Sequence, residues 1–315
     1  MTLHSIPANP VPEGAVSGFL TTADGVKLRF ARWNPATPRK GTICLLGGRG
    51  DMIEKFFEVI EDLRERGFTV AAFDWRGQGG SQRLLSDPRK GYVRRFDDYQ
   101  LDLESFMREI VLPDCPPPYF ALAHSMGGAI MLEALTFGRR WFDRVVLTSP
   151  MIGLYGKLGA PPLRVAARVA ALFGLGRLYI PGGGSFAISN RPFLGNLVTS
   201  DPVRYQRTAS LVEAVPELGL GSATIGWAAA AFKTMQRMQD PMYPSAIRQP
   251  MLILAAGADQ IVSTADTERF SVRLRAGAHL VVPGSRHELM NERDPFRAQF
   301  WAAFDAFIPG SPSYR

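Results

Sequence analysis

Short unbroken apolar runs alternate with longer stretches of helical spacing along most of this chain. Residues 42–46, 68–73, 119–123, 144–147 and 251–255 read as strands, and 278–282 as one more. Between them, residues 53–66 place Phe56, Phe57, Ile60 and Leu63 on one helical face and stop at Gly67. Residues 96–110 predict a second helix, ended by Pro113 and the prolines at 116–118. Residues 128–137 predict a third, and 295–308 a final amphipathic one. Near the start, 16–20 and 26–33 flank the turn signal Ala23-Asp24-Gly25 and predict an antiparallel hairpin. Strands that alternate with helices predict an α/β fold with a mostly parallel sheet covered on both faces.

One block breaks the alternation. Residues 153–240 contain no strand pattern and predict helices over 163–173, 201–215 and 222–238. Placed between the strand ending at 147 and the one starting at 251, this block predicts a helical cap. Open α/β sheets bind ligands at the strands' C-terminal ends, which is where such an insertion lies. The expected division is therefore a core of 1–152 with 241–315 and a cap of 153–240.

Bulk properties change this picture little. A chain of 315 residues, 46% hydrophobic and 21% charged, is long enough for a large buried core. No apolar run has the length of a membrane span, and the start has no leader-like pattern of positive charge and apolar stretch. Two cysteines, Cys44 in a strand and Cys115 in a Pro-rich loop, do not make a disulfide framework, so a cytoplasmic location is expected. The formal charge of +7 comes without a basic stripe interleaved with aromatics, which argues against a nucleic-acid partner. Residues 151–240 hold nine Lys or Arg against four acids, a net +5. Arg164 and Arg168 lie among the apolar residues of 163–173, which suits peripheral contact with an anionic lipid surface, such as the inner membrane face. A helix packed on the core with its charges in water would read the same way.

The chemistry is concentrated at Ala123-His124-Ser125-Met126-Gly127, a strand-to-helix turn of small residues around a serine. A serine there is either a helix N-cap or an exposed nucleophile. As a nucleophile it needs a base, and the base needs a carboxylate to orient it. Of the four histidines, His4 lies in a start expected to be disordered, His124 adjoins the serine and His279 begins a strand. His287 alone follows the last strand in a loop, after Pro283-Gly284-Ser285-Arg286. Asp259 follows the strand 251–255, while Asp266 reads as a helix N-cap. Ser125, Asp259 and His287 thus stand in the chain order that this architecture uses.

A developing oxyanion needs backbone donors. Met126 supplies one at a helix N-terminus. The Gly-rich loop Gly47-Gly48-Arg49-Gly50-Asp51 offers the second, best placed at Arg49. As a phosphate loop it is weak, because no Lys-Ser/Thr follows the glycines. The glycine-rich stretch 74–81 is read as structural. Met126, Met151, Met235 and Met238 suit either an acyl pocket or core filling.

These motifs resemble the α/β-hydrolases, and more narrowly the lysophospholipase L2 and monoacylglycerol lipase group. The matching pieces are Ala123 to Gly128, Phe73-Asp74-Trp75-Arg76-Gly77-Gln78-Gly79-Gly80-Ser81, Gly257-Ala258-Asp259 and His287-Glu288. The chain departs from the pattern with Ala123 in a usual glycine position and Gly47-Gly48 for the usual His-Gly pair. The resemblance implies an eight-stranded sheet, no cofactor or metal, and hydrolysis of an acyl ester of glycerol or glycerophosphate. It also implies the first oxyanion donor at Arg49. Thioesterase or acyltransferase chemistry with the same three residues, or a non-catalytic ligand-binding member of the fold, are the alternatives.

Overall fold

The computed structural model describes residues 2–35 and 40–309. Residues 1, 36–39 and 310–315, counted in the expected core, lie outside that range. The strands are β1 (Val16–Thr21), β2 (Lys27–Trp33), β3 (Thr42–Leu46), β4 (Thr69–Phe73), β5 (Tyr119–His124), β6 (Arg144–Thr148), β7 (Met251–Ala256) and β8 (Gly277–Val282). They form one eight-stranded sheet in the order β1-β2-β4-β3-β5-β6-β7-β8. β2 is antiparallel to both its neighbours, and every pairing from β4 to β8 is parallel. The expected hairpin and the expected parallel sheet are both present.

Period-two alternation builds two cores from the same strands. Ile43 and Leu45 of β3 face Phe57 and Ile60 of helix α1 (Phe57–Glu65) and Phe300 and Phe304 of the C-terminal helix (Asp294–Phe307). Cys44 and Leu46 face the other way. There they join Leu103 and Phe106 of α2 (Asp98–Phe106) and Ile130 from the helix after β5. Full burial of each such side chain is worth about 1.5–3 kcal/mol, which explains why register is fixed so firmly in the central strands. Cys44 and Cys115 are free thiols buried in this second core.

Several elements differ from their sequence reading for identifiable reasons. The helix expected over 53–66 opens as a 3-10 turn, Ile53–Phe56, and the Ile53 N–H, a first-turn amide that no helical carbonyl reaches, donates to Asp74. The helix expected to end near 110 continues through a π turn, Met107–Val111, into α3 (Leu112–Asp114). The wider turn accommodates Pro113, which would otherwise clash with the preceding carbonyl. His4 does not lie in a disordered start. Leu3 is buried, the His4 N–H donates to Glu54, and Arg29 donates to the Thr2 carbonyl. Asp266 is not a cap. Ser263 caps the helix that follows β7, Thr264–Ser271, by accepting from the Asp266 N–H.

After β6 the chain leaves the sheet. Residues 153–240 contribute α5 (Pro161–Leu172), α6 (Pro202–Ala214) and α7 (Ile225–Met238) but no strand of the sheet. With α1 to α3 before them and α4 (Met126–Thr136) at the elbow, these complete the chain order up to α8 (Thr264–Ser271) and α9 (Asp294–Phe307). Asp201 caps α6 by accepting from Val203 and Arg204. Thr224 caps α7, so that helix begins at 225 rather than 222. Arg204 and Arg207 of α6 both reach Glu58 of α1 at 2.6 Å, where Arg297 of α9 also arrives. This cluster ties the inserted segment to the sheet layer. No helix among the described residues is long and apolar enough to cross a membrane.

Candidate active site

Ser125 sits between β5 and α4 with φ +50° and ψ −112°. A non-glycine residue at positive φ costs on the order of 1–3 kcal/mol and persists only where the surroundings over-determine it. Here they do. The Ser125 N–H donates to Thr148 at 3.0 Å, and the Ser125 carbonyl accepts from Met151 at 3.0 Å and from Ala129 at 3.1 Å. Gly127 lets the start of α4 press on the β3 end. A Cβ there would lie 2.5 Å from the Gly47 carbonyl oxygen and 2.7 Å from that of Leu46. Ala123, in contrast, is simply buried in β5.

The strand ends bring the three sequence-selected side chains together. Ser125 Oγ lies 2.9 Å from His287 Nε2, and His287 Nδ1 lies 2.7 Å from Asp259 Oδ2. All three residues are buried. The other Asp259 oxygen accepts from the Ile261 and Val262 N–H groups at 2.8 and 3.0 Å. Burial pushes the Asp259 carboxyl up, but the His287 charge and hydrogen bond and these two amides outweigh it, so its pKa is lowered. With Asp259 ionised, Nδ1 carries the proton of a neutral His287 and Nε2 faces the serine as acceptor.

His124 lies alongside, its ring centroid 4.8 Å from that of His287. Its Nδ1 meets the Thr148 carbonyl at 3.2 Å. Burial, followed by repulsion from His287, depresses its pKa to about 3. His124 is therefore neutral at ordinary pH and places no competing charge beside His287. His279 stands in edge strand β8, away from this group.

The loop 47–51 is held on several sides. Trp75 Nε1 donates to the Gly47 carbonyl at 2.8 Å and Gln78 Nε2 to the Gly48 carbonyl at 2.9 Å. Gln78 Oε1 accepts from the Gly50 N–H, and Asp51 Oδ2 accepts from the Gly48 N–H at 2.6 Å. Lys55 then bridges Asp51 and Glu288 at 2.6 and 2.7 Å. Among the described residues the Arg49 N–H has no acceptor. Met126 presents a first-turn amide of α4, one of the donors that a helix leaves unsatisfied. The 74–81 stretch is thus a structural loop, as expected, but its grip on 47–51 was not legible. Trp75 and Gln78 reach partners 28 and 30 residues away, and only the glycines around them gave a local signal.

Ser125, His287 and Arg49 open onto a cavity of about 610 Å³, lined chiefly by apolar residues including Ile180, Ile188, Leu194, Leu197 and Val198 of the inserted segment. Of the four methionines weighed for an acyl pocket, Met151 lines this cavity. Met126, Met235 and Met238 pack in the core instead.

A mostly parallel eight-stranded sheet, a strained serine turn after β5, and an acid and a histidine after β7 and β8 define an α/β-hydrolase. Residues 37–294 match the family described as serine aminopeptidase, S33. Lysophospholipase L2 of Escherichia coli (strain K12) is 31% identical over 286 residues, covering 88% of this chain and 83% of that protein. The monoacylglycerol lipase of Mycolicibacterium smegmatis is 27% identical, covering 85% and 88%. Among solved structures, a soluble variant of the monoglyceride lipase of Saccharomyces cerevisiae, bound to a substrate analogue, superposes with a TM-score of 0.74. It is 19% identical, with 94% and 96% of the two chains covered, and shows the shared fold. The chain belongs to the S33 family of α/β-hydrolases, in its lysophospholipase L2 and monoacylglycerol lipase group.

Proposed function

We propose that this hydrolase cleaves the carboxylic ester of a monoacyl lipid, a lysophospholipid or a monoacylglycerol, through an acyl-enzyme on Ser125. The observation that carries the reading is the hydrogen-bonded chain Asp259–His287–Ser125 opening onto an apolar cavity. His287 Nε2 takes the hydroxyl proton as Ser125 Oγ attacks the ester carbonyl. Asp259 holds the ring and stabilises the imidazolium. The Arg49 and Met126 amides receive the oxyanion, each such donor being worth about 10²–10³ in rate. His287 then protonates the leaving alcohol, and a water activated by the same nitrogen releases the fatty acid.

A family description that names an aminopeptidase raises the alternative of a peptide substrate. Recognition of a free amino terminus calls for an unneutralised carboxylate in the cavity. The carboxylates lining it among the described residues, Asp51 and Glu288, are both taken by Lys55, which favours the ester. In this reading residues 153–240 act as a cap that walls the acyl site. Its outer face suits a lipid surface. Leu172 and Phe173 are 78 and 81% exposed, and Arg168 is exposed on the same helix as Leu172. Arg164 takes less part, because it turns back to Gly159 and Gln239.

Ser125→Ala is the direct test. It removes the nucleophile and leaves the cavity and the fold, so turnover of p-nitrophenyl butyrate falls by about 10⁴-fold or more with an unchanged melting temperature. Labelling by a fluorophosphonate probe disappears with it. Retained turnover in that variant would refute the assignment.

A further inference from the structure

Arg49 carries its amide toward the assigned oxyanion position, and its side chain runs on along the cavity wall. The guanidinium meets the Gly221 carbonyl at 2.8 Å through Nη2 and lies 5.1 Å from the centre of the Trp227 ring. Arg49 and Trp227 line the same cavity as Ser125. Arg49 Nε is sealed from water and has no hydrogen-bond partner among the described residues. No carboxylate faces the guanidinium among the described residues, and Tyr99 and Tyr179 are the polar groups nearest in effect. Burial accordingly lowers its pKa to about 10. A half-buried cation with no counter-ion is costly, and the usual resolution is an anion that arrives with a ligand. The other buried cation of the cavity, Lys55, is the contrasting case: Asp51 and Glu288 satisfy it fully.

We propose that Arg49 reads the phosphate of the substrate's head group, so that this site prefers a lysophospholipid to a neutral monoacylglycerol. The inference rests on the ester-hydrolase reading above. In a lysophospholipid the phosphodiester lies a few bonds beyond the ester, on the alcohol side that leaves. An arginine whose backbone binds the carbonyl oxygen and whose side chain extends from that point is placed to meet both groups of one molecule. The guanidinium keeps its charge, and Nη1, beside the engaged Nη2, has no protein acceptor among the described residues, so that end is free to donate to a phosphate oxygen.

The experiment compares hexanoyl lysophosphatidylglycerol with monohexanoylglycerol, both kept monomeric so that no lipid surface takes part. Wild type, Arg49→Gln and Arg49→Lys are measured, each checked for an unaltered melting temperature. The readout is the ratio of kcat/KM on the two esters, which cancels any change common to both. The expected wild-type ratio is tenfold or more in favour of the phosphate ester. In Arg49→Gln that ratio falls at least tenfold, mainly through KM, and Arg49→Lys retains a ratio above that of the Gln variant. Glycerol 3-phosphate inhibits hydrolysis of the neutral ester by wild type and not by Arg49→Gln. A wild-type ratio near one, or an unchanged ratio in Arg49→Gln, overturns the proposal. So does inhibition by inorganic phosphate without preference for the lysophospholipid, which would mark a site for the free anion. If wild type cleaves neither ester, the ester-hydrolase reading itself has failed.

Discussion

Gly127→Ala would test how tightly the elbow and the loop 47–51, proposed above to bind the oxyanion, are packed. The added methyl would sit 2.5 Å from the Gly47 carbonyl oxygen and 2.7 Å from the Leu46 carbonyl oxygen. Both are backbone atoms, so no side chain can rotate aside. Restoring ordinary contact requires the start of α4 and the end of β3 to part by roughly 0.7–0.9 Å. The Met126 and Arg49 amides sit on those two segments, and a binding constellation tolerates only about 0.5 Å. Alanine adds helix propensity worth at most about 1 kcal/mol, against overpacking of about 1–3 kcal/mol, so a net loss of stability is expected. Loss of one well-aimed donor lowers kcat by about 10²-fold or more, with KM little changed. Steady-state kinetics on p-nitrophenyl butyrate, with urea unfolding alongside, reads both effects. A kcat within threefold of wild type would refute the packing argument and the placement of the two amides.

Other perturbations separate the remaining roles. Asp259→Asn keeps the shape but removes the charge that fixes the His287 tautomer, and kcat should fall by about 10⁴-fold with the melting temperature within a few degrees of wild type. An effect under tenfold would remove Asp259 from the triad. His124, depressed from an ordinary 6.5 to about 3, gives a stability signature. Its neutral folded form contributes stability that is full above pH 6.5 and is lost progressively as pH falls toward 3. Between pH 7 and 5 wild type should lose about 2 kcal/mol more than His124→Gln in urea unfolding, following about 1.4 kcal/mol per pH unit. Parallel pH dependences for the two proteins would contradict a buried neutral His124.

The elements of the sheet were legible because each central strand is buried on both faces and each flanking helix on one. Both conditions write a local pattern. The limits of the reading fall where a long-range contact overrides that pattern. The π turn makes room for Pro113, and Ser263 takes the cap that Asp266 suggested. The start of the chain reads as disordered until Arg29 and Glu54, both buried, hold the backbone of residues 2 and 4.

For the site, the sequence by itself determined the candidates. Ser125 was marked by its turn, Asp259 and His287 by lying after strands in a fixed order, and Arg49 by its glycines. These are local properties, since a tight turn and a strand end restrict residue types wherever they occur. Distance was not among them. Only the folded chain decided that Ser125 and His287 lie 2.9 Å apart, that Lys55 is neutralised by Asp51 and Glu288, and that Arg49 is not. A buried charge is stable or costly according to partners that can lie 233 residues away, as Glu288 does from Lys55, and no window of sequence records them.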